Sequence, residues 1–287
     1  MTSKEINELT KILDLTKIPK DIRISTITIT CRLDTIFNTI NIERYLDLDD
    51  DIVTVKSLRV NRTILVTKKR RKTKTRKTKK NAFYNQVSVG IKKQDNIVKK
   101  GIINIKLFIN GAIQITGCKS IIDFKNSLTI LFNKLKTVKG VYDSKTDTII
   151  DKYFVNDLNL LELKHINKIK IAMINSNFNI GFSIDRENLY GLLLSNNITC
   201  SYDPVIHACV NIKYNYDDKK KISIFVFEKG TIIITGVNNC EQIIAAHKFI
   251  NTYLNKNYNS ISKRTIEMED NNIDKIIEKF NKGFLIK

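Results

Sequence analysis

Few residues in this chain are spaced to do covalent chemistry. Cys31, Cys118, Cys200, Cys209 and Cys240 form no Cys-x-x-Cys pair and have no adjacent histidine. Reduced thiols of an intracellular protein are expected rather than a zinc site or a disulfide frame. His165, His207 and His247 are scattered. Asp47, Asp49, Asp50 and Asp51 cluster, but without the glycine and closing glutamate of a calcium loop, so they read as a solvated acidic turn. No phosphate-cradling glycine loop, nucleophile elbow or zinc-protease helix motif occurs. The expectation is no catalysis, no metal and no cofactor.

What remains is the chemistry of holding a polyanion. The 287 residues carry a net charge of +20, with a pI near 9.6. Ten of those charges sit in Lys68–Lys80 (KKRRKTKTRKTKK), leaving +10 for the rest. A run with no apolar face and no acidic residue is expected to repel itself into disorder. It is either a solvated loop or localisation signal, or a sequence-blind phosphate contact through Lys68, Lys69, Arg70, Arg71 and Lys72.

A second pattern is a repetition. Phe108, Gly111, Thr116, Gly117, Leu131 and Leu135 recur as Phe227, Gly230, Thr235, Gly236, Ile250 and Leu254, each 119 residues later. Each copy reads as strand, glycine turn, alternating strand ending Thr-Gly, then amphipathic helix. A shared offset through three elements marks two copies of one unit.

The elements that must position these residues follow from periodicity. Residues 1–20 suggest a short helix before Pro19. Ile22–Cys31 alternates with β-branched residues and reads as a strand. Leu33–Leu46 has near-helical spacing with Asp34 as N-cap. Ile52–Val55, Thr63–Val66, Phe83–Lys92 and Ile102–Ile109 are strand candidates. Asn110-Gly111 signals a two-residue hairpin returning through Ala112–Thr116. Ile121–Lys136 is an amphipathic helix. After a linker at Val141–His165 the order resumes. Strands are predicted at Ile169–Phe178, Val210–Tyr214, Ile222–Phe227 and Thr231–Thr235, with helices at Asp185–Leu194 and Cys240–Leu254. A tail follows, with a helix around Ile273–Phe280.

Antiparallel hairpins with segregated helices give an α+β fold. So few helices can cover only one sheet face. Period two puts Ile113, Ile115, Ile232 and Ile234 on one side, and Gln114, Thr116, Ile233 and Thr235 on the other. An open face that also carries Phe108 and Phe227 is expected to meet a partner.

These pieces resemble the TATA-box-binding protein family. They are Cys31-Arg32-Leu33-Asp34, Leu107-Phe108, Gly111 and Thr116-Gly117-Cys118-Lys119, then Ser201-Tyr202-Asp203-Pro204, Phe225-Val226-Phe227, Gly230 and Thr235-Gly236. They span residues 21–136 and 168–254. The resemblance implies two pseudo-symmetric repeats forming a curved antiparallel sheet, a saddle with helices on its convex face. It divides the chain into an N-terminal extension (1–20), a first repeat (21–140) with a basic insert (67–81), a linker (141–167), a second repeat (168–258) and a C-terminal tail (259–287).

The resemblance also implies function: a general transcription factor that seats its concave face on the minor groove of A·T-rich promoter DNA and bends it. Wedging pairs of phenylalanines match Phe108, with Tyr84 or Phe83, and Phe227, with His207. Groove-lining residues match Thr116, Thr235 and Ile233, with Gln114 in place of the first repeat's valine. Phosphate contacts match Lys119 and Lys213, whereas Asn238 replaces a lysine. The central asparagine positions read Ile22 and Met173, with Asn175 two residues on as a substitute in the second half alone. Looser or different A·T reading is the consequence expected.

Implied partners are double-stranded DNA, RNA polymerase initiation factors and a factor-IIB-like protein. The last would meet the second stirrup at Tyr202, Asp203 and Pro204, where Val205 replaces a glutamate. The expected place is the nucleus, or the virion or cytoplasmic factory of a large DNA virus, which the Ile/Asn/Lys-rich composition suggests; no membrane is expected. The rival reading is a saddle-shaped interaction scaffold with weak or non-specific DNA binding. An RNA-binding or enzymatic module is disfavoured, since neither half shows an aromatic RNA-stacking signature.

Overall fold

The computed structural model describes Leu9 and residues 15–65, 84–93 and 101–263. The basic run, Phe83 and the helix expected near residue 273 lie outside them. So does most of the short helix expected in residues 1–20, where Leu9 is helical and buried and a 3-10 turn spans Leu15–Lys17.

The first half contributes β1 (Arg23–Arg32), β2 (Ile52–Lys56), β3 (Asn61–Thr63), β4 (Gln86–Lys92), β5 (Ile102–Phe108) and β6 (Ala112–Cys118). A separate hairpin follows, β7 (Lys139–Asp143) with β8 (Thr148–Lys152). The second half contributes β9 (Asn167–Asn179), β10 (Cys200–Ser201), β11 (Cys209–Asn215), β12 (Lys221–Phe227) and β13 (Thr231–Val237). Apart from β7 and β8, all join one antiparallel sheet in the order β10-β11-β12-β13-β9-β1-β6-β5-β4-β2-β3. β1 and β9 therefore lie side by side near its middle.

Helices α1 (Thr39–Tyr45), α2 (Ile121–Leu135), α3 (Arg186–Ser195) and α4 (Cys240–Lys256), with the short α5 (Tyr258–Ile261), complete the fold. Asn38, Ser120, Asp185 and Asn239 cap the first four, each accepting a backbone N–H of the first turn. Ile113, Ile115, Ile232 and Ile234 are at most 1% exposed. They share one core with Phe124, Leu128, Leu131 and Leu135 of α2 and Ile243, Ala246, Ile250 and Leu254 of α4. Each of these isoleucine, leucine and phenylalanine side chains contributes roughly 1.5–3 kcal/mol by leaving water.

Two expectations are corrected. The helix predicted from Leu33 with Asp34 as cap starts at Thr39, capped by Asn38. Residues 33–37 instead run along the β5–β6 turn, with Leu33 N–H donating to Gly111 O (3.0 Å) and Phe37 N–H to Ile109 O (3.2 Å). This buries Leu33 and Phe37 completely, and Asp34 accepts from Asn167 Nδ2 (2.8 Å). The turn has three residues rather than two, Ile109-Asn110-Gly111, with Gly111 at φ +84. Gly111 supplies the left-handed residue that commonly closes a three-residue hairpin loop. Around the linker, whose structure the sequence left open, lie β7, β8 and two 3-10 turns, Leu158–Leu160 and Leu163–His165.

Candidate nucleic-acid interface

The side of the sheet away from the isoleucine core is only partly buried. It carries Phe108, Thr116, Gln114 and Lys106 in one half and Phe227, Phe225, Thr235 and Ile233 in the other, none of them sealed. β5 and β12 stand two strands out from the central pair on opposite sides, so Phe108 and Phe227 flank that centre.

The pairing in the two halves recurs at constant offsets. Ile105 faces Ile115 across β5–β6, and Ile224 faces Ile234 across β12–β13, each 119 residues on. The opening strands shift by 147. Leu33 N–H donates to Gly111 O as Ile180 N–H does to Gly230 O, and Phe37 to Ile109 as Ile184 to Glu228.

These registers place the candidate wedge residues. Phe108 pairs with Gln86, and Phe227 with Cys209. Two residues earlier stand Tyr84, 80% exposed, and His207, also exposed. Tyr84 is thus the residue at the place of His207, and Phe83 lies outside the described residues.

The centre of the sheet needs a correction. Ile22 and Met173 are 151 residues apart, four more than the pairing allows, so they do not occupy matching places. Thr28 pairs with Thr116, and the same register in the second half puts Asn175 beside Thr235. There the Thr235 hydroxyl donates to Asn175 Oδ1 (2.5 Å) and reaches Met173 Sδ (3.4 Å). The first half does therefore hold a residue at the place of Asn175: Thr28, whose hydroxyl is buried without a hydrogen-bond partner. Thr26 Oγ1 accepts from Gly117 N–H (3.0 Å) at a bulge beside it.

Charge on this sheet is one-sided. Its eleven strands contain ten lysines and arginines and no aspartate or glutamate. Lys213 Nζ donates to Ser223 Oγ (2.7 Å), which holds the ammonium on the open face. Lys119 is exposed between β6 and α2, while its backbone N–H and the Lys93 ammonium both bind Asp123 (2.7 Å each). Arg62 is spent on capping the carbonyls of Glu43 and Leu46 at the end of α1.

The loop before β11 is braced rather than slack. Asp203 Oδ1 accepts from Val205 N–H (2.9 Å), and Asp203 O from His207 N–H (2.7 Å). Arg186 lies over the Tyr202 ring (5.6 Å), donates to Ala208 O (2.9 Å) and pairs with Glu228 (2.6 Å). Lys263, then Arg186, hold the Glu228 carboxyl below its usual range. Tyr202 and Asp203 are therefore half-buried bracing, and Pro204 is exposed. The residues offered outward are Val205 and Ile206, 93% and 70% exposed, a feature that sequence reading missed.

Among the described residues no group of three histidines, cysteines or carboxylates could hold a metal. The aspartate cluster is engaged by cations: Asp49 with Lys134 and Asp47 with Lys139. Burial pushes the Cys31 and Cys118 thiols up to about 12, far from reactive thiolates. No described helix is long and apolar enough to cross a membrane.

No family model matches the chain. A curated protein named "TATA-box-binding protein-like", from Acanthamoeba polyphaga mimivirus, is 37% identical over 278 residues, covering 91% of this chain and 71% of that protein. Among solved structures, Methanococcus jannaschii TBP is similar at 14% identity and a TM-score of 0.45, over 82% of this chain and 99% of that one.

Proposed function

The chain belongs to the TATA-box-binding protein-like family, and on that premise we propose that it binds the minor groove of A·T-rich promoter DNA and bends it for transcription initiation. The observation that carries the reading is the open face. Strands without a single acidic residue present Phe108 and Phe227 part-exposed, on opposite sides of the sheet centre.

On this reading the recurring pairings reflect two copies of one unit, curved into a saddle with its helices on the convex side. Phe108 and Phe227 enter base steps, flanked by Tyr84 and His207. Unstacking costs a few kcal/mol per step and is offset by the larger surface that a bent duplex touches. Thr116, Thr235, Ile233 and Asn175 line the groove floor. Asn175 Oδ1 already accepts from Thr235, so its amide hydrogens are left to meet the N3 and O2 acceptors of A·T pairs. Lys119 and Lys213 take phosphates, and Lys68–Lys80 adds a sequence-blind term.

The loop at Tyr202, Asp203 and Pro204, with Val205 and Ile206 at its tip, would recruit a factor-IIB-like protein and so the polymerase initiation machinery. The mimivirus relative supports a large DNA virus as the source, and the nucleus or a viral transcription site as the place of action. The rival, a scaffold that binds DNA weakly and without selectivity, draws on the exposed Val205–Ile206 pair.

A gel shift at moderate salt, with the full chain and with Lys68–Lys80 deleted, separates the two. The proposal expects the deletion to weaken binding and flatten its salt dependence while the A·T preference stays. Loss of all binding with the run would mean that the sheet is not the reader.

A further inference from the structure

The two halves of the open face are alike in backbone and unlike in chemistry at one slot. Lys106 faces Gln114 across β5–β6, where 119 residues later Phe225 faces Ile233 across β12–β13. All four are part-exposed on the open face. The difference extends along the row. Ser88 and Thr30 flank the first pair, so four polar side chains stand in line. Asn211 and Asn177 flank the second pair, so its middle is apolar. The Asn211 side-chain oxygen is itself buried and not offered to a ligand.

In the minor groove a G·C pair differs from A·T by one donor, the guanine N2 amino group, rising from the floor. Phe225 and Ile233 closed over that group would bury a donor with no acceptor, which is costly. Gln114 can accept from it through Oε1, and can equally donate to adenine N3 or thymine O2. Lys106 can donate to any of the floor acceptors.

Resting on the DNA-binding reading above, we propose that the first half tolerates a G·C pair while the second half demands A·T, so that this asymmetry orients the protein on its promoter. The slot is set by Lys106 and Gln114 against Phe225 and Ile233.

The test uses the full chain, fluorescence anisotropy at about 150 mM salt, and three duplexes. One has a symmetric A·T core, one a single G·C pair in one half of that core, and one a G·C pair in each half. The protein can turn round on a symmetric core, so a single G·C pair always finds the tolerant half. Wild type should lose no more than about 3-fold to one pair and at least about 30-fold to two. With Lys106→Phe and Gln114→Ile together, one pair should already cost about 10-fold. Phe225→Lys with Ile233→Gln should instead rescue the doubly substituted duplex. Each variant places residues that the equivalent slot already accommodates, and either one reads the effect if the other misfolds.

Equal steps per G·C pair in wild type, or variants that leave the pattern unchanged, would overturn the inference while leaving the binding mode standing. No binding to the all-A·T duplex would overturn both.

Discussion

The Thr235 hydroxyl donates a 2.5 Å hydrogen bond to the side-chain carbonyl of Asn175, on the open face of the sheet. The bond fixes which end of the Asn175 amide can meet a ligand. With its oxygen engaged, the amide is a donor, suited to a floor of A·T acceptors.

Asn175→Ala should therefore weaken binding to an A·T duplex by about 10-fold, the loss expected for one base-edge contact. Half-buried and off the core, the site should change stability by less than about 1 kcal/mol. Anisotropy titration alongside a thermal melt checks both halves of the prediction. A large drop in melting temperature with no separate loss of selectivity would assign Asn175 a structural role.

Gly111 closes the β5–β6 turn at φ +84, and a Cβ there would lie 2.1 Å from Leu33 O and 2.5 Å from Thr35 O. Both contacts are backbone and cannot swing aside. Gly111→Ala should destabilise the protein by roughly 2 kcal/mol or more, from a strained backbone and a displaced segment 33–37. Denaturant unfolding measures it. Gly181, at φ +91 with nothing near its missing Cβ, is the control and should lose less.

Acid should loosen the first half through Asp49. Burial opposes ionisation of this carboxyl, but the N–H groups of Ile52 and Asp51 and the Lys134 ammonium together bring it below the usual carboxylate range. A folded pKa below the unfolded one contributes stability above the unfolded value, and that stability is lost as pH falls through the folded value. Asp49→Asn should therefore be less stable than wild type at neutral pH, by under about 1 kcal/mol for so exposed a pair. The gap should close once the pH drops below the carboxylate range. Paired unfolding curves at neutral and acid pH test the sign.

How much of this was legible in the sequence varies with the kind of interaction. The face assignment of Ile113, Gln114, Ile115 and Thr116 was readable because a strand with one buried side repeats every two residues. The face of Ile121–Leu135 was readable for the helical equivalent. Leu33–Phe37 misled because the bonds that extend it come from Ile109 and Gly111, more than seventy residues away, which local spacing cannot register. The β7–β8 hairpin was missed because most of its residues are exposed, Ile149 at 73%, and neither strand buries a residue that would mark a core face. Aligning Ile22 with Met173 slipped by four residues because Cys31-Arg32-Leu33-Asp34 has Phe178-Asn179-Ile180-Gly181 at its place in the second half, which shares no residue to anchor the count. The Lys106–Gln114 slot became visible only when the pairing set it against Phe225–Ile233.

The DNA-binding proposal turns on whether Phe108 and Phe227 open the duplex from the open face of the sheet. Fluorescence transfer across an end-labelled A·T duplex tests it with wild type, Phe108→Ala, Phe227→Ala and the double variant. Wild-type protein should raise transfer by bending the DNA. Each single substitution should reduce the rise, and the double should abolish it while salt-dependent binding persists. Transfer that rises as fully with both phenylalanines replaced would contradict it.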